Sequence, residues 1–436
     1  MEMNDLVLVS TDDHIIEPPD MFEGRVAKKY ADRAPRVVGN SKEGFNWDFD
    51  GTAARQLALA ATAGRGKGAR AQELHNEPSS FAEIRPGTYD VHERIKDMDA
   101  NGVLGSLNFP SFPRFSGVMF AKVAKRDEDL ALAVVRAYND WHIEAWCGEY
   151  PGRFIPCALG PIWSAELMAE EMRRVAAKGV HAVTFSMNPH GLGLPSLHDD
   201  YWDPFWKACV DNEIIVCLHI GTGGDMIQTS PDAPMLTRVT CSGINIYPTA
   251  ADLIWSPMMH KFPNLMFSLA EGGIGWIPYF LERADNTYVH NVADLTDHPF
   301  YGELPSERFK RQIVACFIND AHGVANLDLM NVDNVTWECD YPHPDSSWPT
   351  TPEEAWVYLQ NVKDDDTLNK ITHLNAMRLF KFDPFKYLPK ERSTVGALRA
   401  NVPDHDVTYV PGKQYELGRI TQSGMMDRLA ATGAKS

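Results

Sequence analysis

A chain of 436 residues, of which 44% are hydrophobic and 23% charged, can bury one large core or two ordinary ones. Its net charge of -18 disfavours a nucleic acid or an anionic membrane surface as a partner, because both would repel the protein. No apolar run approaches the roughly 20 residues that span a bilayer, and no basic N-terminal segment precedes an apolar one. We therefore expect a cytoplasmic protein with no nucleic-acid or membrane partner.

The seven cysteines are odd in number, scattered along the chain and never arranged as Cys-x-x-Cys. This pattern argues against a disulfide framework and against a thiolate zinc site. A reducing compartment is the simplest expectation.

The first predicted strand is the apolar run Leu6-Val7-Leu8-Val9, and the polar stretch Thr11-Asp12-Asp13-His14 follows it closely. Because strand side chains alternate, we expect Asp12 and His14 on one face and Asp13, in a structural role, on the other. A carboxylate beside an imidazole is half of a divalent-metal site. The competing interpretation is that Asp12 caps a turn and His14 is an ordinary polar residue.

Residues 22–90 have weak periodicity and predict a long insertion over one end of the core, with one or two helices. Within it, Gly64-Arg65-Gly66-Lys67-Gly68 lacks the spacing of a phosphate-binding loop and the hydroxyl residue that should follow the lysine. It predicts a solvated loop. Just before the insertion, Glu17 either reaches the site or caps a turn.

From residue 89 onward, apolar strands alternate with segments of helical periodicity. The predicted helices cover 91–101, 127–150, 165–178, 201–212, 250–261, 277–292, 351–362 and 366–380. The predicted strands after the first cover 103–109, 154–159, 180–185, 214–220, 265–270, 313–317 and 335–338.

Eight strands separated by helices, with no break that marks a second core, predict an α/β fold with a parallel sheet. The number eight favours a closed (β/α)₈ TIM barrel over an open, doubly wound sheet. We expect one barrel domain over residues 1–390, interrupted by the insertion at about 22–90. Residues 391–436 are polar and poorly periodic, and predict a C-terminal extension that packs on the barrel or on a neighbouring subunit.

Polar residues reappear where the predicted strands end, and a barrel brings strand ends together. Besides Asp12 and His14, these residues are His219 after strand five, Glu271 after strand six, and Asp340 with His343 after strand eight. Two carboxylates and two imidazoles suit Zn²⁺, Fe²⁺ or Mn²⁺ and leave a position for water. The combination points to a metal site more specifically than any single residue does.

These stretches give the chain a recognisable likeness. It resembles the amidohydrolase-related family, the branch of the amidohydrolase superfamily that includes aminocarboxymuconate-semialdehyde decarboxylase and resorcylate decarboxylases. The likeness runs over about residues 6–385. Its matching pieces are Asp12-Asp13-His14-Ile15-Ile16-Glu17-Pro18-Pro19, Asp97-Met98-Asp99-Ala100-Asn101-Gly102-Val103, Pro151-Gly152-Arg153-Phe154, His198-Asp199-Asp200-Tyr201-Trp202-Asp203, Cys217-Leu218-His219, Ala270-Glu271-Gly272-Gly273 and Asp340-Tyr341-Pro342-His343.

The resemblance implies a (β/α)₈ barrel, a divalent metal ion and an assembly of two or more subunits, most simply a homodimer. It carries the family's metal ligands over to Asp12, His14, His219 and Asp340. The first pair departs slightly from the family, which usually has His-x-His or Glu-x-His at this place. One ion is expected, with two as the alternative.

One departure bears directly on the chemistry. The decarboxylases of this family place a histidine that handles protons at the end of strand six, where this chain has Glu271. The carboxylate either moves protons, binds a metal ion directly, or caps the next helix or pairs with Arg283. His343 lies in the loop beyond Asp340 and is a candidate to contact the substrate or to assist catalysis.

The leading hypothesis is a metal-dependent hydrolase that acts on a small organic, carboxylate- or ring-bearing substrate through a metal-activated water. Asp340 or Glu271 would move the proton. Non-oxidative decarboxylation uses the same groups and is the first alternative. A non-haem diiron oxygenase with Glu271 as an extra ligand is the second, and a metal-stabilised binding protein without activity is the third.

Four aromatic residues are candidates for the wall of an aromatic-binding pocket, although aromatic side chains more often pack in cores. They are Trp47, Phe112, Tyr341 and Trp348.

Overall fold

The structure is a computed structural model that describes residues 1–40, 44–54, 61, 78–224 and 226–407. Its centre is a ring of parallel strands. The ring consists of β1 (Val9–Ile15), β5 (Gly105–Pro110), β6 (Phe154–Ile155), β7 (Cys157–Leu159), β8 (Ala182–Phe185), β9 (Ile215–His219), β10 (Phe267–Ala270), β11 (Ile313–Phe317) and β12 (Val335–Trp337).

The ring contains eight barrel positions, because β6 and β7 are two pieces of one position separated by a single residue. β5 pairs with β1 and β6, and the strands from β7 to β12 pair in chain order. Hydrogen bonds from the Asp340 amide to the Asp12 carbonyl (2.8 Å) and from the His14 amide to the Tyr341 carbonyl (2.7 Å) join the two ends. The predicted (β/α)₈ barrel is confirmed.

Helices follow the strands and pack around the ring, as right-handed crossovers between parallel strands require. The described α-helices are Val91–Asn101, Val118–Ala124, Glu128–Trp141, Ala165–Ala176, Asp203–Asp211, Met235–Thr240, Ile246–Ile254, Pro257–Lys261, Ile277–Asn291, Pro305–Gln312, Ala321–Ala325, Thr351–Leu359, Asp365–Asn369, Asn375–Leu379 and Val395–Arg399.

Strand residues are apolar on both faces, and each face belongs to a different core. Leu8 and Leu218 pack in the large core between strands and helices, whereas their neighbours Val9 and Cys217 pack in a smaller core inside the ring. Because a parallel strand is buried on both faces, it appears in the sequence as a continuous apolar run. This is why the strand positions were predictable.

The first strand differs from its prediction. β1 begins at Val9 and continues to Ile15, so Asp12 and His14 lie within the strand rather than after it. An irregularity in its pairing with β5 falls between Ser10 and Asp13. Polar residues are tolerated in this buried strand because the backbone remains paired while their side chains meet one another near the end of the barrel.

The described part of the insertion contains a three-stranded antiparallel sheet, which was not predicted, beside short helices. Its strands are β2 (Arg36–Asn40), β3 (Gly44–Phe49) and β4 (Thr52–Ala54). A 3₁₀-helix covers Lys28–Arg33. The loop expected at residues 64–68 lies outside the described residues.

The described part of the C-terminal extension packs on the barrel. The Val395 amide donates to the Leu6 carbonyl at 2.8 Å, and Arg399 forms a salt bridge with Glu353 at 2.5 Å. Leu398 contributes to the core inside the ring. The domain boundary at residue 390 stays a prediction.

A buried polar cluster connects the extension to the site. The carboxylate of Asp97 accepts hydrogen bonds from Arg85 (2.8 Å), from the Tyr341 hydroxyl (2.5 Å) and from the imidazole of His405 (2.7 Å). Burial raises the pKa of Asp97, but the hydrogen bonds from His405 and Arg85 outweigh it and hold the pKa below its usual value. Tyr341 follows Asp340 directly, so the cluster supports the last strand end.

Replacing Asp97 by alanine should lower the free energy of unfolding by about 3–5 kcal/mol, because the buried Arg85 guanidinium would lose the carboxylate that balances its charge. Urea denaturation measures the loss. The matched control is Asp90→Ala, which removes the N-cap of the same helix and should cost about 1 kcal/mol. Equal losses in the two variants would contradict the importance of the cluster.

Candidate metal centre

Four candidate ligands converge inside the C-terminal end of the barrel. Asp12 and His14 come from β1, His219 is the last residue of β9, and Asp340 lies three residues beyond β12. One ligand atom from each lies within 4.8 Å of the others, and all four residues are buried. This is the one such group in the part of the chain that the structure describes.

The ligand atoms face a common point. The Nε2 atoms of His14 and His219 are 3.2 Å apart. Nε2 of His14 lies 3.1 Å from Oδ1 of Asp340 and 3.5 Å from Oδ1 of Asp12, and Nε2 of His219 lies 3.3 Å from Oδ2 of Asp12. Two imidazole nitrogens and two carboxylates are a donor set that suits a borderline divalent ion.

Surrounding contacts fix the orientation of His219. Its Nδ1 lies 2.6 Å from the carbonyl oxygen of Ile220, which can only accept a hydrogen bond. Nδ1 therefore carries the proton, and in the neutral ring Nε2 presents its lone pair to the other three residues. A hydrogen bond of this kind is the usual support for a histidine that binds a metal ion.

The two carboxylates lack the donors that burial demands. Both side-chain oxygens of Asp12 and both of Asp340 are buried without a hydrogen-bond partner among the described residues. Burial raises the pKa of Asp340 well above its usual range, and repulsion from Glu271 and Asp12 adds to the effect. Because buried charges must be paired or bind a metal, these four residues fit a divalent cation.

The imidazole of His14 is suited to the same ion. Burial lowers its pKa well below the usual value, and the neighbouring His343 and His219 rings lower it further. The ring is therefore neutral, the form that binds metals.

Glu271 lies beside the four residues rather than among them. Its Oε2 is 3.7 Å from Nδ1 of His219, whereas it is Nε2 of that ring that faces the other three residues. Burial raises the pKa of Glu271 to about 8, although His219 opposes the shift. The prediction that Glu271 binds a metal stays untested, and its position leaves it free to handle protons.

Left-handed backbone at two strand ends marks this region. Glu271 has a φ of 61° and Asp340 a φ of 55°, values that non-glycine residues adopt at a cost of about 1–3 kcal/mol. Strain of this kind persists only where surrounding contacts enforce it, and it is common at functional sites. Here the Glu271 amide donates to Oε2 of Glu338 at 3.2 Å, and the Asp340 amide donates to β1.

His343 is close to the candidate centre, as its place in the sequence suggested. Its ring stacks on His14 with centroids 3.7 Å apart, and its Nδ1 lies 3.1 Å from Oδ1 of Asp340. Its Nε2 is buried and has no hydrogen-bond partner among the described residues. The structure thus brings together all six predicted site residues, while their individual roles stay predictions.

Two further acidic residues in and just after β1, Asp13 and Glu17, lie outside the candidate centre. Asp13 points away from the centre, accepting from Ser10 (3.0 Å) and from the Tyr341 amide (3.1 Å), as strand alternation predicts. Glu17 does not join the site but accepts from the amides of Ser111 (2.9 Å) and Phe112 (2.7 Å).

Sequence reasoning missed two residues at the centre. Glu338 directly follows β12, two positions before Asp340, and its Oε2 accepts from the Cys316 thiol at 2.6 Å. Phe115 packs its ring against His14, His219 and His343, with centroids 4.8, 4.3 and 5.9 Å away. The spacing could have revealed Glu338, but Phe115 lies in a loop without a sequence signal.

The four aromatic residues predicted to line an aromatic-binding pocket pack in the core instead. Trp47 and Phe112 stack on each other in the core at 4.4 Å, and Tyr341 packs against Trp348 at 5.8 Å. All four side chains are buried, so they support the site from within the core and do not line an open pocket.

Comparison with known proteins identifies the family. The amidohydrolase family model matches residues 87–382. The chain belongs to the amidohydrolase family. The amidohydrolase superfamily consists of metal-dependent enzymes, in agreement with the candidate metal centre, and the likeness inferred from the strand-end residues is confirmed. No curated protein matches the chain.

Solved structures with the same fold match nearly their whole length. An amidohydrolase from Mycobacterium avium subsp. paratuberculosis K-10 is 18% identical, with a TM-score of 0.65 over 86% of this chain and 99% of its own. 5-Carboxyvanillate decarboxylase from Sphingomonas paucimobilis is 19% identical, with a TM-score of 0.60 over 87% and 100%. At these identities the likeness shows a common fold.

A third structure was solved with a bound metal. It is a dihydroxybenzoic acid decarboxylase from Polaromonas sp. JS666, with manganese and the inhibitor 2-nitroresorcinol. It is 16% identical to this chain, with a TM-score of 0.57 over 88% of this chain and 98% of its own.

None of the described helices combines the length and apolar character needed to cross a membrane.

Metal binding at the centre should stabilise the fold. For metal-stripped protein we expect saturating Zn²⁺ or Mn²⁺ to raise the melting temperature by a few degrees, since a ligand at about 100 times its Kd contributes about 2.7 kcal/mol. His219→Ala should abolish the rise. The control His198→Ala removes an exposed partner of Asp252 and should keep it. An unchanged rise in His219→Ala would contradict the assignment.

Proposed function

We propose that the protein is a metal-dependent, non-oxidative decarboxylase of a small aromatic acid. The observation that carries this proposal is the position of Glu271, which is outside the four-residue cluster and has its Oε2 3.7 Å from Nδ1 of His219. The cluster then provides for one ion, and Glu271 remains as a proton-carrying group at strand six. The decarboxylases among the structures of the same fold, which act on carboxyvanillate or dihydroxybenzoate, support the substrate class.

Asp12, His14, His219 and Asp340 would hold the ion, with Zn²⁺ and Mn²⁺ as the best matches to two imidazoles and two carboxylates. The bound ion would supply Lewis-acid polarisation of a substrate oxygen. His343 is placed to orient a substrate group, because its Nε2 is buried beside the cluster and makes no hydrogen bond within the described residues.

Glu271 supplies the proton. In the step we propose, the bond between the ring carbon and the carboxylate carbon breaks, and its electron pair stays on the ring carbon. The carboxyl proton of Glu271 moves to that carbon, carbon dioxide leaves, and Glu271 regains a proton from water. General acid catalysis by a positioned carboxyl group contributes typically about 10²–10⁴-fold.

Glu338 positions Glu271 for this step. It accepts the Glu271 amide and the Cys316 thiol on the same carboxylate oxygen, and it is fully buried. These contacts fix the backbone of Glu271 in its left-handed conformation, so that the side chain is presented toward His219.

The hydrolase hypothesis is not confirmed. Hydrolysis needs a base that takes a proton from water. Glu271, beside the four-residue cluster, would have to be that base. The diiron hypothesis needs Glu271 as a ligand, and this carboxylate is not one of the four residues whose ligand atoms lie within 4.8 Å of one another. Both alternatives remain predictions that the following experiment separates.

Zinc- or manganese-loaded protein should release carbon dioxide from 2,6-dihydroxybenzoate or 5-carboxyvanillate. Glu271→Gln cannot donate the proton, so we expect kcat to fall by about 10²-fold or more while the metal content is unchanged. Glu282→Gln, an exposed change on the helix that follows, is the control and should keep full activity.

Carbon dioxide release and metal content are measured on the same preparations. Hydrolysis of amide or ester substrates without carbon dioxide release from any aromatic acid would contradict the proposal. Full activity in Glu271→Gln would show that another group supplies the proton.

A further inference from the structure

The loop after β5 lies across the candidate metal centre. This loop, residues 111–117, carries Phe115, whose ring contacts the imidazoles of His14, His219 and His343. The four candidate ligands are buried, whereas Phe115 is only partly buried. Its partly exposed ring therefore packs on the three imidazoles from the side of this loop.

The loop is held in place by contacts from two barrel strands. Glu17, just after β1, accepts both the Ser111 and Phe112 amides and is itself fixed by the Tyr138 hydroxyl at 2.8 Å. On the other side, the Thr184 hydroxyl of β8 donates to the carbonyl of Phe115.

Two consecutive turns complete the loop. The Arg114 amide donates to the Ser111 carbonyl at 3.0 Å, and the Gly117 amide donates to the Arg114 carbonyl at 2.9 Å. Arg114 and Gly117 have left-handed backbones with φ of 60° and 74°. Hydrogen bonds on both sides and two defined turns hold the loop in one conformation. These contacts therefore determine the position of Phe115.

We propose that Phe115 is a specificity-determining residue that controls access to the metal centre, and that Glu17 is the positioning residue that holds it there. The proposal rests on the metal centre of the proposed function and not on which reaction takes place. A ligand that approaches the ion past this loop must displace the Phe115 ring or pass beside it.

The shape of the ligand decides the cost of this displacement. A flat ring replaces the aromatic contacts that Phe115 loses with the imidazoles, whereas a saturated, bulky group does not. Phe115 therefore favours planar ligands at the ion. Removing its ring should open the centre to ligands of both shapes.

The test measures how fast zinc leaves the loaded protein. The planar chelator is pyridine-2,6-dicarboxylate and the saturated one is iminodiacetate, each in excess over the protein. Phe115→Ala should accelerate release by about 3- to 10-fold, since aromatic pairs contribute about 0.5–1.5 kcal/mol. In the same variant, the rate of zinc release to pyridine-2,6-dicarboxylate should fall relative to the rate of release to iminodiacetate. Phe115→Trp should keep both the slow release and the wild-type ratio of the two rates.

Two further variants test the positioning role. Glu17→Gln keeps the shape of the side chain but removes one acceptor, and Tyr138→Phe removes only the hydrogen bond that fixes Glu17. Both should accelerate release less than Phe115→Ala, with the zinc content at the start unchanged. Tyr279→Ala, which truncates an exposed aromatic side chain, is the control and should leave the rates unchanged.

The outcomes separate this proposal from the proposed function. Equal release rates and an equal chelator ratio in wild type and Phe115→Ala would overturn it, as would a wild-type protein that binds no zinc. Faster release in Phe115→Ala together with no carbon dioxide release from aromatic acids would support the role of Phe115 and reject the decarboxylase.

Discussion

Two buried carboxylates without hydrogen-bond donors are the constraint on which this structure depends. Asp12 and Asp340 lie where the first and last strands of the barrel meet, and none of their side-chain oxygens has a hydrogen-bond partner among the described residues. Leaving such charges in a low-dielectric interior is costly unless a cation compensates them. The neutral ring of His14 and the oriented Nε2 of His219 complete a donor set around that cation. The architecture of the centre is therefore that of a metal site.

On its other face, β1 also buries a carboxylate, but there the protein supplies the partners. Asp13 is buried behind β1, where Arg94 lies 3.8 Å away and packs over the ring of Tyr341. Arg94 also donates to the carbonyl of His14 and so holds the strand from behind. The polar cluster around Asp97 then ties Tyr341 to the extension. On this face the protein itself supplies the compensating charge, whereas the face that carries Asp12 and His14 fits a divalent cation.

Much of this was predictable because parallel strands bury both faces and end at one edge of the barrel. Apolar runs located the strands, and the polar residues after them located His219, Glu271 and Asp340. The extent of β1 was not predictable, since a buried strand that contains Asp12 and His14 breaks the apolar pattern. Phe115 and its support by Glu17 depend on a loop path that no periodicity encodes. The insertion was predicted to carry one or two helices, and its described part combines 3₁₀-helices with an antiparallel sheet that the weak periodicity did not indicate.

The most direct test of the account is the number of metal ions per chain, measured by elemental analysis of wild-type protein and of its Glu271→Ala variant. The account predicts about one zinc or manganese ion per chain in both proteins, because the four-residue cluster holds the ion without Glu271. Two ions in the wild type and one in the variant would contradict it. Glu271 would then be a ligand, and the chemistry of the site would have to be sought with two metals.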